Sequence, residues 1–413
     1  MLLSLVLAVL LAPPPPDDGL ARAAAALGPR LIELRREIHR FPELPNREFR
    51  TGKLVAARLR DLGLEVRYPV AKTGVVALLR SGRPGQAVAL RADLDALPIL
   101  EERDVPYRSQ HPGIMHACGH DAHTAVALGV AELLARPKDN LTGTVIFLFQ
   151  PAEEGPPEAE EGGAALMVRE GVLDDPRPSA ILGFHVDPTL DSGRVGWTDG
   201  TVFAGRDHFR IEVHGRAAHS AAPETGLDAI RAAAAIVQAV HELPRDKGSS
   251  VSIGTIRGGT HYNLVAGEAR LEGVARTLAA GERDRLKAEL GSVVQRVAQA
   301  HATTATLSFL DAGTAPTVND ASLAARLRPA LERIYGPPGV VTVGPQMGSE
   351  DFSVFAQRIP AFYLRVGVRN EAKGITAMTH TPEFDLDETT LPVAAHALAR
   401  MILDLLAPPS PRP

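Results

Sequence analysis

Short apolar runs of strand length, spaced by stretches of helical periodicity, constrain this chain more than any other feature. The runs lie at 74–79, 87–90, 144–149 and 180–184, and a helical stretch at 121–135 separates the second from the third. Parallel neighbours need a crossover, usually a helix, so this alternation predicts an α/β domain with a largely parallel sheet. Two helices precede it. The segment 20–40 places Leu27, Leu31, Leu34 and Ile38 on one stripe, and 47–62 ends at Gly63. Near Gly205 the pattern changes. Residues 209–214 alternate apolar and polar, and a helix at about 224–242, strands at 250–256 and 269–275, a helix at 280–301 and a strand at 304–310 follow. That β-α-β-β-α-β order is ferredoxin-like. The sequence therefore predicts a smaller α+β domain at about 200–314, inserted into an α/β domain built from 20–199 and 315–413, where helices resume at 321–335 and 388–406.

Composition excludes several function classes. With 45% hydrophobic and 23% charged residues over 413 positions, the chain is ordinary globular material for two or three domains. A net charge of −5 gives no basic footprint for nucleic acid. The lone cysteine, Cys118, forms no intramolecular disulfide. Residues 1–12 are almost wholly apolar, too short for a stable membrane span but suited to the core of a signal peptide, with a proline run after them. The expectation is a leader and linker over 1–19 and an exported protein. No Lys or Arg precedes the run, which leaves the cytoplasm as the alternative.

The chemistry is concentrated in four places. In Met115-His-Ala-Cys-Gly-His-Asp-Ala-His123, Cys118 and His120 stand two apart at a predicted helix start, so one point can receive both a thiolate and an imidazole. Glu153 and Glu154 follow the strand 144–149, and ligands collect at the carboxyl ends of strands in open α/β sheets. One carboxylate can hold a metal while the other handles a proton; the plain alternative is a solvated acidic loop, which the neighbouring Glu158, Glu160 and Glu161 favour. His185 closes the run 180–184 at a strand end, and His380 lies in Thr379-His-Thr-Pro382. Cys118, His120, Glu154, His185 and His380 make five candidate ligands for two metals, with Glu153 beside them. Asp93, at a further strand end, either ligates or orients a ligand imidazole from behind. In the inserted segment His219, in Gly215-Arg-Ala-Ala-His219, reads by itself as a surface loop residue.

Taken together, RADLDALP (91–98), MHACGHDAHTA (115–125), FQPAEEG (149–155), GFHVDP (183–188), GRAAHSAAPETGLDAI (215–230), MGSEDF (347–352) and THTPEF (379–384) resemble the M20 metallopeptidase family, in the branch of hippurate hydrolases, N-acyl-amino-acid amidohydrolases and auxin-conjugate hydrolases. The resemblance implies a two-metal catalytic domain, a ferredoxin-like lid that also dimerises, and amide hydrolysis of a small N-acyl amino acid. Carried over by position, it implies Cys118, His120, Glu154, His185 and His380 as ligands, Glu153 as general base and Asp93 as a support for the site. It also implies His219 as a lid residue reaching the partner's site, and Asn263 and Arg276 as holders of the substrate carboxylate. Other branches carry a metal-binding His where this chain has Arg91. The family's Pro after Asn-Val-Ile is absent from Asn263-Leu-Val-Ala266, and residues 156–161 form an acidic Pro/Glu insert. Zn²⁺, Mn²⁺, Co²⁺ and Ni²⁺ all suit a Cys/His/Glu set. Three rival functions stand beside this one: a cysteine hydrolase using Cys118 with His120 or His123, a non-catalytic metal- or ligand-binding homologue, and a dipeptidase or carboxypeptidase.

Overall fold

A computed structural model gives the structure and describes residues 18–135, 141–243, 247–310 and 313–407; the apolar N-terminal run and the C-terminal proline tail lie outside the described residues. The chain begins with helices α1 (Asp18–Arg40) and α2 (Phe49–Asp61), then strands β1 (Glu65–Val70), β2 (Gly74–Arg80) and β3 (Ala87–Asp93). Helix α3 (His120–Ala135), β4 (Thr144–Gln150), α4 (Gly163–Arg169), β5 (Ala180–Asp191), β6 (Val195–Trp197) and β7 (Thr201–Phe203) follow. The inserted unit comprises β8 (Gly205–His214), β9 (Ala218–His219), α5 (Ala229–His241), β10 (Ser249–Gly258), β11 (Leu264–Val265), β12 (Glu268–Thr277), α6 (Ala280–Ala300) and β13 (Thr304–Phe309). The chain then returns through β14 (Thr317–Val318), α7 (Ala321–Tyr335), β15 (Val340–Thr342), α8 (Ser353–Ala356), β16 (Ala361–Arg369) and α9 (Thr390–Leu406).

The main sheet has eight strands in the order β1-β2-β4-β3-β5-β16-β6-β15. Four of its seven pairings are parallel, and β1/β2, β2/β4 and β6/β16 are antiparallel. The sheet is therefore mixed. The parallel set β4-β3-β5-β16 forms its middle, buried on both faces, which is why 87–90, 144–149 and 180–184 read as continuous apolar runs, while buried Arg91 and Arg365 break the runs of β3 and β16. One apolar cluster joins α1, α2, α3, α7 and α9 to one face, and a second packs α4 and α8 on the other. Among the described residues no helix is long and apolar enough to cross a membrane.

The second sheet runs β10-β12-β8-β13, all antiparallel, and packs α5 and α6 around a core of its own that includes Phe209, Ile211, Leu271 and Leu290. This is the ferredoxin-like order the sequence predicts. The chain enters and leaves this unit beside one pair of short strands, β7 and β14.

Two boundaries differ from expectation for physical reasons. Helix α5 starts at Ala229, not near 224, because Pro223–Thr225 forms a separate turn and the Asp228 side chain caps the helix by accepting from Ile230 N and Arg231 N. Strand β5 does not end at Phe184. Its pairing with β3 stops at Leu90–Leu182, but β16 supports it further, so His185 lies inside a strand and opposite Arg365.

Candidate metal centre and active site

The site forms where β3 and β4 run out and α3 begins. Gly119, between Cys118 and His120, has φ +87°, and a Cβ there would come within 2.5 Å of Val186 Cγ2. Only glycine lets the turn pass that close while both flanking side chains point inward. His120 opens α3, all but the last of whose residues are buried. Arg35, fully buried on α1, donates to Asp121 at 2.7 Å and ties the first turn of α3 in place.

The imidazoles have fixed tautomers. His120 Nδ1 donates to the Asp95 carbonyl at 2.8 Å and lies 3.2 Å from its carboxylate, so in the neutral ring that a metal would bind Nε2 carries the lone pair. That buried Nε2 has no hydrogen-bond partner among the described residues, and sits 3.8 Å from Asp93 Oδ2 and 3.9 Å from Glu153 Oε2. An orphaned buried acceptor facing carboxylates is what a cation's ligand looks like. Burial lowers the pKa of His120, but Asp93, Asp95 and Glu154 outweigh it and raise it to about 10: the pocket demands positive charge. His185 Nδ1 donates to Val186 O at 2.6 Å, again freeing Nε2.

Cys118 Sγ lies 3.3 Å from His185 Nε2 and 3.2 Å from His380 Nε2, and His380 Nε2 is 3.1 Å from Glu154 Oε1. His380 holds φ +63°, a left-handed conformation that costs a non-glycine residue, and its N–H donates to Ala117 O at 2.8 Å. Three overlapping groups, Cys118–His120–His185, Cys118–Glu154–His380 and His120–Glu153–Glu154, each bring their ligand atoms within 4.8 Å of one another. The structure thus brings all five candidate ligands and Glu153 to one place, as a donor set of soft sulfur, imidazole and carboxylate that fits divalent transition metals. Burial, then Glu154 and Glu153, push the Cys118 thiol well up, so a thiolate forms there only when a cation joins the set. Its hydrogen bonds go to His185 and His380, not to His120 or His123, which leaves a cysteine nucleophile without the expected base.

Asp93 has a different partner from the one that ligand orientation calls for. Its Oδ1 accepts from His123 Nδ1 at 2.6 Å, and His123 Nε2 accepts from Val186 N at 3.0 Å. Both nitrogens of His123 are occupied, so it is no ligand. Asp95 is the residue that orients two of the candidate ligands: besides His120, its Oδ2 accepts from Glu154 N at 2.9 Å. Asp95→Ala is expected to lower metal affinity by roughly 10- to 100-fold, as loss of a ligand's supporting partner does; titration with a competing chelator checks it, and unchanged affinity would remove Asp95 from this role.

Behind Glu153 stands a buried ionic cluster. Arg91 is fully buried and donates to Asp93 (2.6 Å), Gln150 (2.8 Å), Glu350 (2.9 Å) and Asp351 (3.1 Å), while Tyr363 O–H donates to Glu350 at 2.5 Å. Burial, with Glu350, Glu154 and Asp351 close by, pushes the Glu153 carboxyl well above the ordinary range despite Arg91. In that setting the carboxyl keeps its proton, and a nearby cation would lower its pKa towards the range in which it is ionised and free to accept one.

These groups open into a cleft of about 540 Å³. Cys118, Glu153, Glu154, His185 and His380 line it together with Arg276 on β12, which is half-buried and donates from Nη1 to Met347 O at 3.0 Å. Burial, then Arg206, lowers the pKa of Arg276, an environment that an anion would relieve. His219 and Asn263 are not in the cleft. His219 lies on the β9/β11 ribbon, where it pairs with Leu264 and is exposed, and Asn263 immediately precedes β11. The acidic insert also stays away from the cleft, since Arg47, Lys72 and Asn46 hold Glu160 beside the start of α2.

The model of peptidase family M20/M25/M40 matches residues 89–404. The chain belongs to this family. The M20 chain is 37% identical over 376 residues to thermostable carboxypeptidase 1 of Saccharolobus solfataricus, covering 89% of this chain and 94% of the relative. It is 37% identical over 380 residues to the Arabidopsis thaliana IAA-amino acid hydrolase ILR1-like 4, covering 90% and 84%. The crystal structure of Bacillus subtilis YXEP protein, a dinuclear metal binding peptidase from the M20 family, superposes with a TM-score of 0.81 at 33% identity, covering 92% of this chain and 99% of that one. This M20 protein is accordingly a metal-dependent hydrolase of amide bonds with the mixed α/β fold of its solved relatives.

Proposed function

We propose that this M20 hydrolase cleaves the amide bond of N-acyl amino acids, hippurate-like or other small conjugates. The observation that carries the reading is one cleft lined both by Glu153 with Cys118, Glu154, His185 and His380 and by the half-buried Arg276, a cation suited to the carboxylate of a small acylated amino acid. Two divalent ions, Zn²⁺, Mn²⁺, Co²⁺ or Ni²⁺, would be held by Cys118, His120, Glu154, His185 and His380. When bound they would polarise the amide carbonyl and favour deprotonation of water near neutral pH.

The residues then divide the remaining work. A Glu153 carboxylate oxygen takes a proton from water as its oxygen adds to the carbonyl carbon, and returns it to the amide nitrogen as the C–N bond breaks. Arg276 holds the substrate carboxylate in its own cleft, and Asn263, which like His219 lies outside that cleft, joins it from the partner subunit. His219, too far round the ribbon to line its own cleft, donates to the oxyanion in the partner subunit of a homodimer joined through the inserted unit. That donor is worth about 3–4 kcal/mol. Mixed dimers of His219→Ala and Glu153→Gln subunits are expected to recover activity that neither parent has; no recovery in verified mixed dimers would place His219 in its own subunit's chemistry. We also propose export, on the apolar leader.

Release of amino acid from N-acyl amino acids, before chelation, after it and after adding back single ions, tests the reading. Loss on chelation and return with one ion supports it. The carboxypeptidase relatives favour a second reading, a dipeptidase or carboxypeptidase, which a panel of short peptides run alongside separates.

A further inference from the structure

The turn that carries Glu153 is held from both sides by buried carboxylates. On one side Glu154 N donates to Asp95 Oδ2 at 2.9 Å. On the other, Ala152 N donates to Glu48 Oε1 at 2.8 Å, and Thr73 Oγ1 donates to Glu48 Oε2 at 2.6 Å. Ala152 is buried at φ +54°, a left-handed conformation disfavoured for alanine, so the turn needs an outside contact to hold it. The neighbouring chain is packed to match: a Cβ on Gly74, next to Thr73, would meet Phe149 O and Pro151 Cδ, each at 2.7 Å. Glu48 itself is wholly buried at the start of α2 and lines no part of the cleft.

We infer that Glu48 is a positioning residue, which fixes where the Glu153 carboxylate stands by accepting the Ala152 N–H. This rests on the reading of Glu153 as general base. The role requires an oxygen acceptor at the right reach and not a charge. Burial and then Asp95 push the Glu48 carboxyl up to about 7, and a protonated carboxyl still offers an acceptor to Ala152. Glutamine keeps both length and acceptor, whereas aspartate keeps the charge and falls short by one methylene.

The test compares Glu48→Gln, Glu48→Asp and Glu48→Ala in the metal-loaded full chain, reading kcat, KM, bound metal and Tm. Glu48→Ala and Glu48→Asp are expected to lose roughly 100-fold in kcat, the cost of about 1 Å of misplacement, with KM within about threefold and metal content unchanged, while Glu48→Gln stays within about fivefold of wild type. If Glu48→Ala does not fold, the Gln and Asp variants decide alone. Wild-type kcat in Glu48→Asp, a Gln variant as poor as Asp, or loss of bound metal would each overturn the inference. Glu153→Gln separates the two levels. If that variant keeps turnover, the general-base reading has failed; if it is inactive and the Glu48 variants are not, only the positioning role has.

Discussion

Glu153→Gln is expected to keep its full complement of metal and to lose roughly 10²–10⁴-fold in kcat, the usual worth of a positioned acid–base group. The amide preserves the size of the side chain, and none of the five ligands changes. What disappears is the acceptor for the water proton, 3.9 Å from the His120 Nε2 that marks the candidate metal position. Metal analysis and steady-state turnover on the same sample decide the matter. Equal loss of metal and activity would make Glu153 a ligand, and wild-type turnover would send the search for the base elsewhere in the cleft.

Arg91→Met is expected to destabilise the protein by about 3–5 kcal/mol, because removing one partner of a buried ionic set leaves its opposites uncompensated. Here the abandoned groups are Asp93, Glu350 and Asp351, around a guanidinium with no solvent exposure. Methionine roughly fills the volume, so the effect reports charge and not a cavity. Burial already pushes Asp351 up to about 7 beside Arg91, so it is the first of the three to take up a proton when the cation goes. Differential scanning calorimetry of the variant should show a Tm lowered by several degrees. A Tm within error of wild type would mean that water reaches the cluster and solvates the three carboxylates.

Both residues lie in motifs visible in the sequence, but only Glu153 could be given its task there. Cys118, His120 and the Glu153–Glu154 pair were legible because each pair is adjacent in the chain, and a helix start or a strand end aims its members at a common point. Asp95 was not, although it stands two residues after Asp93. It lies past the end of β3, and where it points depends on a loop pinned by the Leu97–Met115 bridge and by Ala96 N donating to Glu43 O. The Arg91–Glu350 pair spans 259 positions and Glu48–Ala152 spans 104, distances over which local pattern carries no information. In the fold, β16 is not legible in the sequence because the buried Arg365 interrupts its apolar run, and its cation makes sense only with its ion-pair partner Asp187, two residues beyond the register position of His185 on β5. The inserted unit was easier, since its strands have one solvated face and alternate accordingly.

The thiol of Cys118 and the imidazole of His380 meet across 262 positions of chain, with Glu154 and His185 drawn from between them. An ion that binds this set acts as a staple joining the first third of the polypeptide to its last tenth, and an unfolded chain offers it no comparable site. Free metal therefore adds to folding stability by mass action, about 1.4 kcal/mol for each tenfold rise in concentration above the dissociation constant. For a host organism the two currencies merge. When the ion is scarce, the molecules left empty are also those most readily opened and degraded, so the amount of this protein becomes a record of the metal supply it has met.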